Sequence, residues 1–189
     1  MEGGPAIPHG SSSPHHYHVD TCYLRPILIE RDDDRDLLEA ARRLVNRADG
    51  RGVCASVGVV GETIIKADAN SSEGQLSSDD LECMGRNLAR YIRQGRIALC
   101  SLGSADNSEV FFRRALEIRR ADGRIGDMDV LILASALGCP DCEVLYTNDG
   151  PMLNSTSLRA IAQEKPLALR EAPGDPISRR RRGRPGARR

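Results

Sequence analysis

Between residues 17 and 170, short apolar segments take turns with segments whose apolar residues recur at helical spacing, and few folds accept that order. A strand is expected at 18–22, then a helix at 34–48 with Leu37, Leu38, Ala41, Leu44 and Val45 on one face. Asp33 or Asp34 is its expected cap and Gly50 its stop. A strand at 53–56 runs into an apolar helix at 57–67 that carries Glu62, and 70–77 reads as a polar loop. Ser77 or Ser78, followed by Asp79 and Asp80, opens a helix reaching Arg93, with its acids at the positive end. A strand at 97–101, helices at 108–120 and 127–137, a buried strand at 143–147, a helix at 157–163 and an edge strand at 167–169 complete the series. Strands separated by helices pair in parallel through right-handed crossovers, so the expected fold is a three-layer α/β/α sandwich around a parallel sheet.

The segment 17–170 is long enough for one domain, flanked by a Gly, Pro, Ser and His leader at 1–16 and an Arg, Gly and Pro tail at 171–189. Trp is absent and Phe and Tyr total six, which argues against folds that read single strands through rows of stacked aromatics. The longest apolar run, at 130–137, is too short to cross a bilayer, and the leader lacks the basic and apolar regions of a secretory signal. A cytoplasmic protein with no membrane contact and with reduced thiols is expected.

In an open parallel sheet, ligands bind beyond the carboxyl ends of the strands. Asp20 and Asp149 both fall there, one after the first strand and the other after 143–147. Glu62 lies within SVGVVGETII and Asp129 directly precedes 130–134, and carboxylates among apolar residues are seldom buried unless paired or metal-bound. Acids converging at one sheet end repel each other unless cations neutralise them, and hard oxygen ligands select Mg²⁺ or Mn²⁺.

The segments HVDTCYL, SVGVVGETI, GDMDVLILASAL and CEVLYTNDGPM, in that order, resemble the PIN-domain nucleases over about residues 18–165. The resemblance implies that Asp20, Glu62, Asp129 and Asp149 form a catalytic, metal-holding site, with Asp127 as an accessory ligand, Thr21 beside Asp20, and Thr147 and Asn148 either hydrogen-bonding a ligand or orienting the carboxylates. It implies an endoribonuclease that uses Mg²⁺ or Mn²⁺, as the toxin of a toxin–antitoxin pair or as an RNA-processing enzyme. Its partners would be RNA, an antitoxin or processing-complex protein, and a second copy of the chain. A Toprim-like reading of Glu62 with Asp127 and Asp129 leaves Asp20 and Asp149 unexplained. A phosphatase reading of Asp127-Met-Asp129 lacks the hydrophobic strand it would need.

Net charge is zero, yet seven Arg lie in the last eleven residues; without them the 27 basic residues fall to 20 against 27 acids. The tail SRRRRGRPGARR resembles an AT-hook, and Arg180, Arg181, Arg182 and Arg184 are candidates for contact with RNA or with the narrow minor groove of DNA. Arg113 and Arg114 could extend a phosphate path. These segments also sustain an alternative, a non-catalytic nucleic-acid-binding protein on a PIN-like scaffold. Cys139-Pro-Asp-Cys142 is a lone CxxC without a second CxxC or an HxxxH, and His9, His15, His16 and His18 lie in or beside the leader, so neither zinc nor redox chemistry is expected there. Cys22, Cys54, Cys83 and Cys100 read as small core hydrophobes.

Overall fold

Strand β1 (Tyr17–Val19) passes through the single residue Asp20 into helix α1 (Thr21–Ile29). The computed structural model describes residues 17–30, 35–46, 52–100, 105–139 and 142–174. The leader at 1–16, the Arg-rich end of the tail and the caps expected at Asp33, Asp34 and Gly50 lie outside the described residues. The first strand ends earlier than expected because Asp20 has extended backbone and its side chain accepts the Thr21 N–H, which starts a helix. Pro26 hides that helix in the sequence, since an interior Pro removes an N–H and crowds the preceding turn. Burial of Tyr23, Leu24 and Ile27, each 0% exposed, offsets the cost.

The remaining elements are α2 (Arg35–Val45), β2 (Val53–Ser56), α3 (Val57–Ser72), α4 (Ser78–Arg93), β3 (Ile97–Cys100), α5 (Ala105–Ala121), α6 (Asp127–Gly138), β4 (Val144–Tyr146), α7 (Gly150–Asn154), α8 (Thr156–Glu164) and β5 (Ala168–Arg170). Helix α3 continues through 70–72, expected as loop, before the capping box of Ser77 and Asp80 opens α4. All strands pair in parallel in the order β3-β2-β1-β4-β5. Right-handed crossovers running from β1 out to β3 put α1–α4 on one face, and the return toward β5 puts α5–α8 on the other. The sheet is therefore the middle of three layers, an α/β fold as the sequence implied.

Two features of this frame bear on function. Helices α3 and α6 belong to opposite layers yet touch, so Glu62 and the first turn of α6 can meet beyond the strand ends. Within the sheet, His18 is paired directly with Cys54, which places their side chains on the same face. The frame is also close-packed where the chain enters β2. A Cβ on Gly52 would stand 2.6 Å from the Gly95 carbonyl oxygen and 2.8 Å from that of Arg96, both fixed backbone. Gly52→Ala should cost about 1–3 kcal/mol, the range for overpacking. Urea unfolding measures it, and a change within about 0.5 kcal/mol, as for an unconstrained surface position, would contradict the close approach.

Candidate functional site

Three elements deliver the acids. Asp20 caps α1 beyond β1, Glu62 projects inward from α3, and Asp129 lies in the first turn of α6. Carboxylate oxygens from the three lie within 4.8 Å of one another. Asp20 is only 4% exposed, and its Oδ1 accepts the Thr21 N–H at 2.5 Å while its Oδ2 accepts the Thr147 hydroxyl at 2.6 Å. Glu62 accepts the Thr21 hydroxyl at 2.5 Å and the Lys66 ammonium, one helical turn on, at 2.7 Å. Gly126 leaves room for the third acid, since a Cβ there would stand 2.7 Å from Asp129 Oδ2.

Asp149 caps α7, accepting the Met152 N–H at 2.6 Å, while its own N–H donates to the Thr147 hydroxyl at 3.0 Å. Thr147 thus links Asp20 and Asp149 through one oxygen. All four acids line one cleft of ≈ 450 Å³, together with Thr21, Asn148, Arg25 and Lys66 among others. Burial pushes the Asp129 carboxyl up to about 6, with the charges of Asp20, Asp149 and Glu62 adding and Lys66 opposing. Burial also raises Asp20, against the bonds from Thr147 and Thr21. Lys66 is partly desolvated, which pulls its ammonium down, but Glu62 outweighs this and holds it above its ordinary value. Two cationic side chains, Lys66 and Arg25, line the cleft against four carboxylates, so it is short of positive charge.

The other residues named from sequence fall elsewhere. Asp127 turns away, paired with Arg119 at 3.0 Å, and its side chain is 85% exposed. Arg114 is engaged by Glu117 at 2.7 Å and Glu164 at 2.9 Å, which explains why its guanidinium is held as a firm cation; Arg113 is exposed. Arg180, Arg181, Arg182 and Arg184 lie outside the described residues. Lys66 and Arg25 were not singled out by sequence. Lys66 had a signal, because it follows Glu62 at the i, i+4 spacing of a helical ion pair.

A second group forms inside the sheet. The Sγ atoms of Cys54 and Cys100 are 2.7 Å apart, and Cys100 Sγ lies 3.4 Å from His18 Nε2 and 3.8 Å from Cys139 Sγ. Hydrogen bonds from Cys100, Cys54 and His18 draw the Cys139 thiol below its ordinary range. Reading Cys54 and Cys100 only as core fillers therefore misses their side-chain partners. Cys142, the other half of the CxxC, instead donates to the Val144 carbonyl at 3.5 Å.

No protein-family model matches the chain, and no curated protein does. Among solved structures, a chain of VapBC2 from Rickettsia felis, crystallised with a DNA fragment from its promoter, matches with a TM-score of 0.52. The match covers 83% of this chain and 98% of that one, at 16% sequence identity. What the two share is a fold. At that identity the chemistry has to be argued from the residues described above. No described helix is long and apolar enough to cross a membrane.

Proposed function

We propose that this chain is a divalent-cation-dependent endoribonuclease of PIN type. The observation that carries the reading is the meeting of Asp20, Glu62 and Asp129, from three separate elements, within 4.8 Å. Three buried or half-buried carboxylates with one ammonium among them suit a hard cation, because oxygen donors favour Mg²⁺ or Mn²⁺ and a thiophilic metal would find no sulfur ligand set among them. Asp20, Glu62, Asp129 and Asp149 would hold it; Asp127, committed to Arg119, is left out of the set. When bound, such an ion polarises a phosphate and lowers the pKa of water.

The protein's own groups supply the rest. Thr147 and the Thr21 N–H fix the Asp20 carboxylate, and Thr21 with Lys66 fixes Glu62. Carboxylates fixed in this way need no reorganisation when a cation arrives. Asn148 and Arg25 line the same cleft and can donate to phosphate oxygens. Burial and the neighbouring carboxylates push Asp129 up to about 6 in the metal-free cleft, so a cation binding there displaces a proton at mildly acid pH.

RNA is the proposed substrate and a protein of the antitoxin class the proposed partner. One structural neighbour comes from a VapBC2 assembly, and this chain leaves large apolar side chains exposed on α3 (Val57, Ile64, Ile65) and on α5 (Val110, Phe112, Leu116). An RNA-processing role would use the same site. Incubating a mixed single-stranded and structured RNA pool with Mn²⁺ or Mg²⁺ tests the reading. Wild type should cut, and should stop in EDTA. Asp149→Asn should also be inert while remaining folded, because Asn caps a helix as well as Asp does. Folded wild type that binds RNA and never cuts it would remove the enzyme reading and leave the basic tail as the functional element.

A further inference from the structure

We propose that His18, Cys54, Cys100 and Cys139 bind one Zn²⁺ ion in a structural site inside the sheet, separate in chemistry from the acidic cleft. The four residues come from β1, β2, β3 and the C-terminal cap of α6. Direct pairing of His18 with Cys54, and the two-residue step from Ala98, the partner of Cys54, to Cys100, put the three strand residues on one face. Cys139 reaches that face from α6. Its position is held by Lys165, whose ammonium donates to the carbonyls of Leu137 and Cys139 at the helix end.

The spacing suits a tetrahedral ion. With Zn–S near 2.3 Å and Zn–N near 2.0 Å, ligand-to-ligand edges come to about 3.8 Å for two sulfurs and about 3.5 Å for sulfur and nitrogen. Cys100 to Cys139 is 3.8 Å and Cys100 to His18 Nε2 is 3.4 Å. The ligand atoms of His18, Cys100 and Cys139 lie within 4.8 Å of one another, while Cys54, at 2.7 Å from Cys100, stands outside that group and must move its Sγ by about 1 Å or more to take the fourth corner. His18 is 1% exposed in the middle strand of the sheet, and the groups its ring meets there are thiols. A buried imidazole against the sulfurs of Cys100 and Cys139, with Cys54 beside Cys100, has a direct explanation as a ligand set, since three thiolates and one imidazole form an established closed zinc set. Cys100 and Cys139 are half-buried, which leaves an entry side for the ion.

The remaining described thiols have other partners. Cys22 donates to Asp20, Cys83 accepts from Asn87, and Cys142 donates to Val144. Softness separates the two centres: sulfur and imidazole take Zn²⁺, while carboxylates alone suit Mg²⁺ or Mn²⁺. Binding would release the thiol protons to solvent and tie β1, two residues before Asp20, to β2, β3 and α6.

Full-length protein, reduced and stripped by a chelator, is titrated with Co²⁺ and then with Zn²⁺. One equivalent of Co²⁺ should give a sulfur-to-cobalt charge-transfer band with the strong visible bands of a tetrahedral site, and one equivalent of Zn²⁺ should erase both. Cys100→Ser and Cys139→Ser should weaken Co²⁺ binding at least tenfold or lose the band, while Cys83→Ser and Asp149→Asn keep it. Wild type decides the matter even if a cysteine variant does not fold. A wild-type spectrum without a sulfur band, a band that survives in both variants, or a Cys54–Cys100 disulfide in protein isolated under reducing conditions overturns the proposal.

Discussion

Asp20→Asn should lower cation-dependent RNA cleavage on the order of 10³-fold, because a metal-ion site supplies several kcal/mol of transition-state stabilisation and each 1.36 kcal/mol is tenfold. The variant should nevertheless fold. Asn is nearly isosteric with Asp and keeps an oxygen for the Thr21 N–H, so the start of α1 remains capped. At the other oxygen, an amide NH₂ would face the Thr147 hydroxyl, which can rotate to accept instead of donate. What is lost is one negative charge and one anionic ligand in a cleft where the acids already repel each other. Without metal, the variant should therefore be as stable as wild type or more so. Cleavage rates and metal-free melting temperatures, measured on the same preparation, separate the two effects. Near-wild-type cleavage would remove Asp20 from the site, and a collapsed melting curve would show that its role is structural.

The legible parts of this fold were those that depend on local pattern. Val53–Ser56 and Val144–Tyr146 stand out as apolar runs, and Ser77 with Asp80 marks the start of α4. Helix α1 was hidden because Pro26 contradicts helical propensity locally and only tertiary burial of Tyr23, Leu24 and Ile27 overrides it. The acids could be read through their setting: a carboxylate at a strand end or among apolar residues is conspicuous in sequence. Asp127 shows the limit of that signal. It opens the same helix as Asp129, but two positions turn a side chain by about 200°, which takes it out to Arg119. The thiol group had no local signal at all. Cys100 is separated by 82 residues from His18, by 46 from Cys54 and by 39 from Cys139, so only the strand order brings them together.

The metal-free protein should lose stability between about pH 4 and pH 6 through Asp129, whose carboxyl is raised from 3.8 to about 6. A raised acid binds its proton more tightly folded than unfolded, so its contribution is complete below the unfolded value and disappears as pH climbs through the folded one. The shift corresponds to about 3 kcal/mol at full burial, and about 1–2 kcal/mol after screening of this half-exposed group. Asp20 is raised too and acts in the same direction. Urea unfolding of wild type and Asp129→Asn across this range in EDTA isolates the effect of Asp129 and its couplings, since groups that do not interact with it cancel. Asp129→Asn should gain on wild type by about 1–2 kcal/mol as pH rises from 4 to 7. A difference independent of pH would mean that Asp129 does not share the crowded field of Asp20, Asp149 and Glu62. Mn²⁺ should reverse the wild-type loss above pH 6, because an ion that binds only the folded, ionised cluster stabilises it by mass action. Below that pH the ion competes with the Asp129 proton, so the stabilisation by Mn²⁺ should fade together with cleavage.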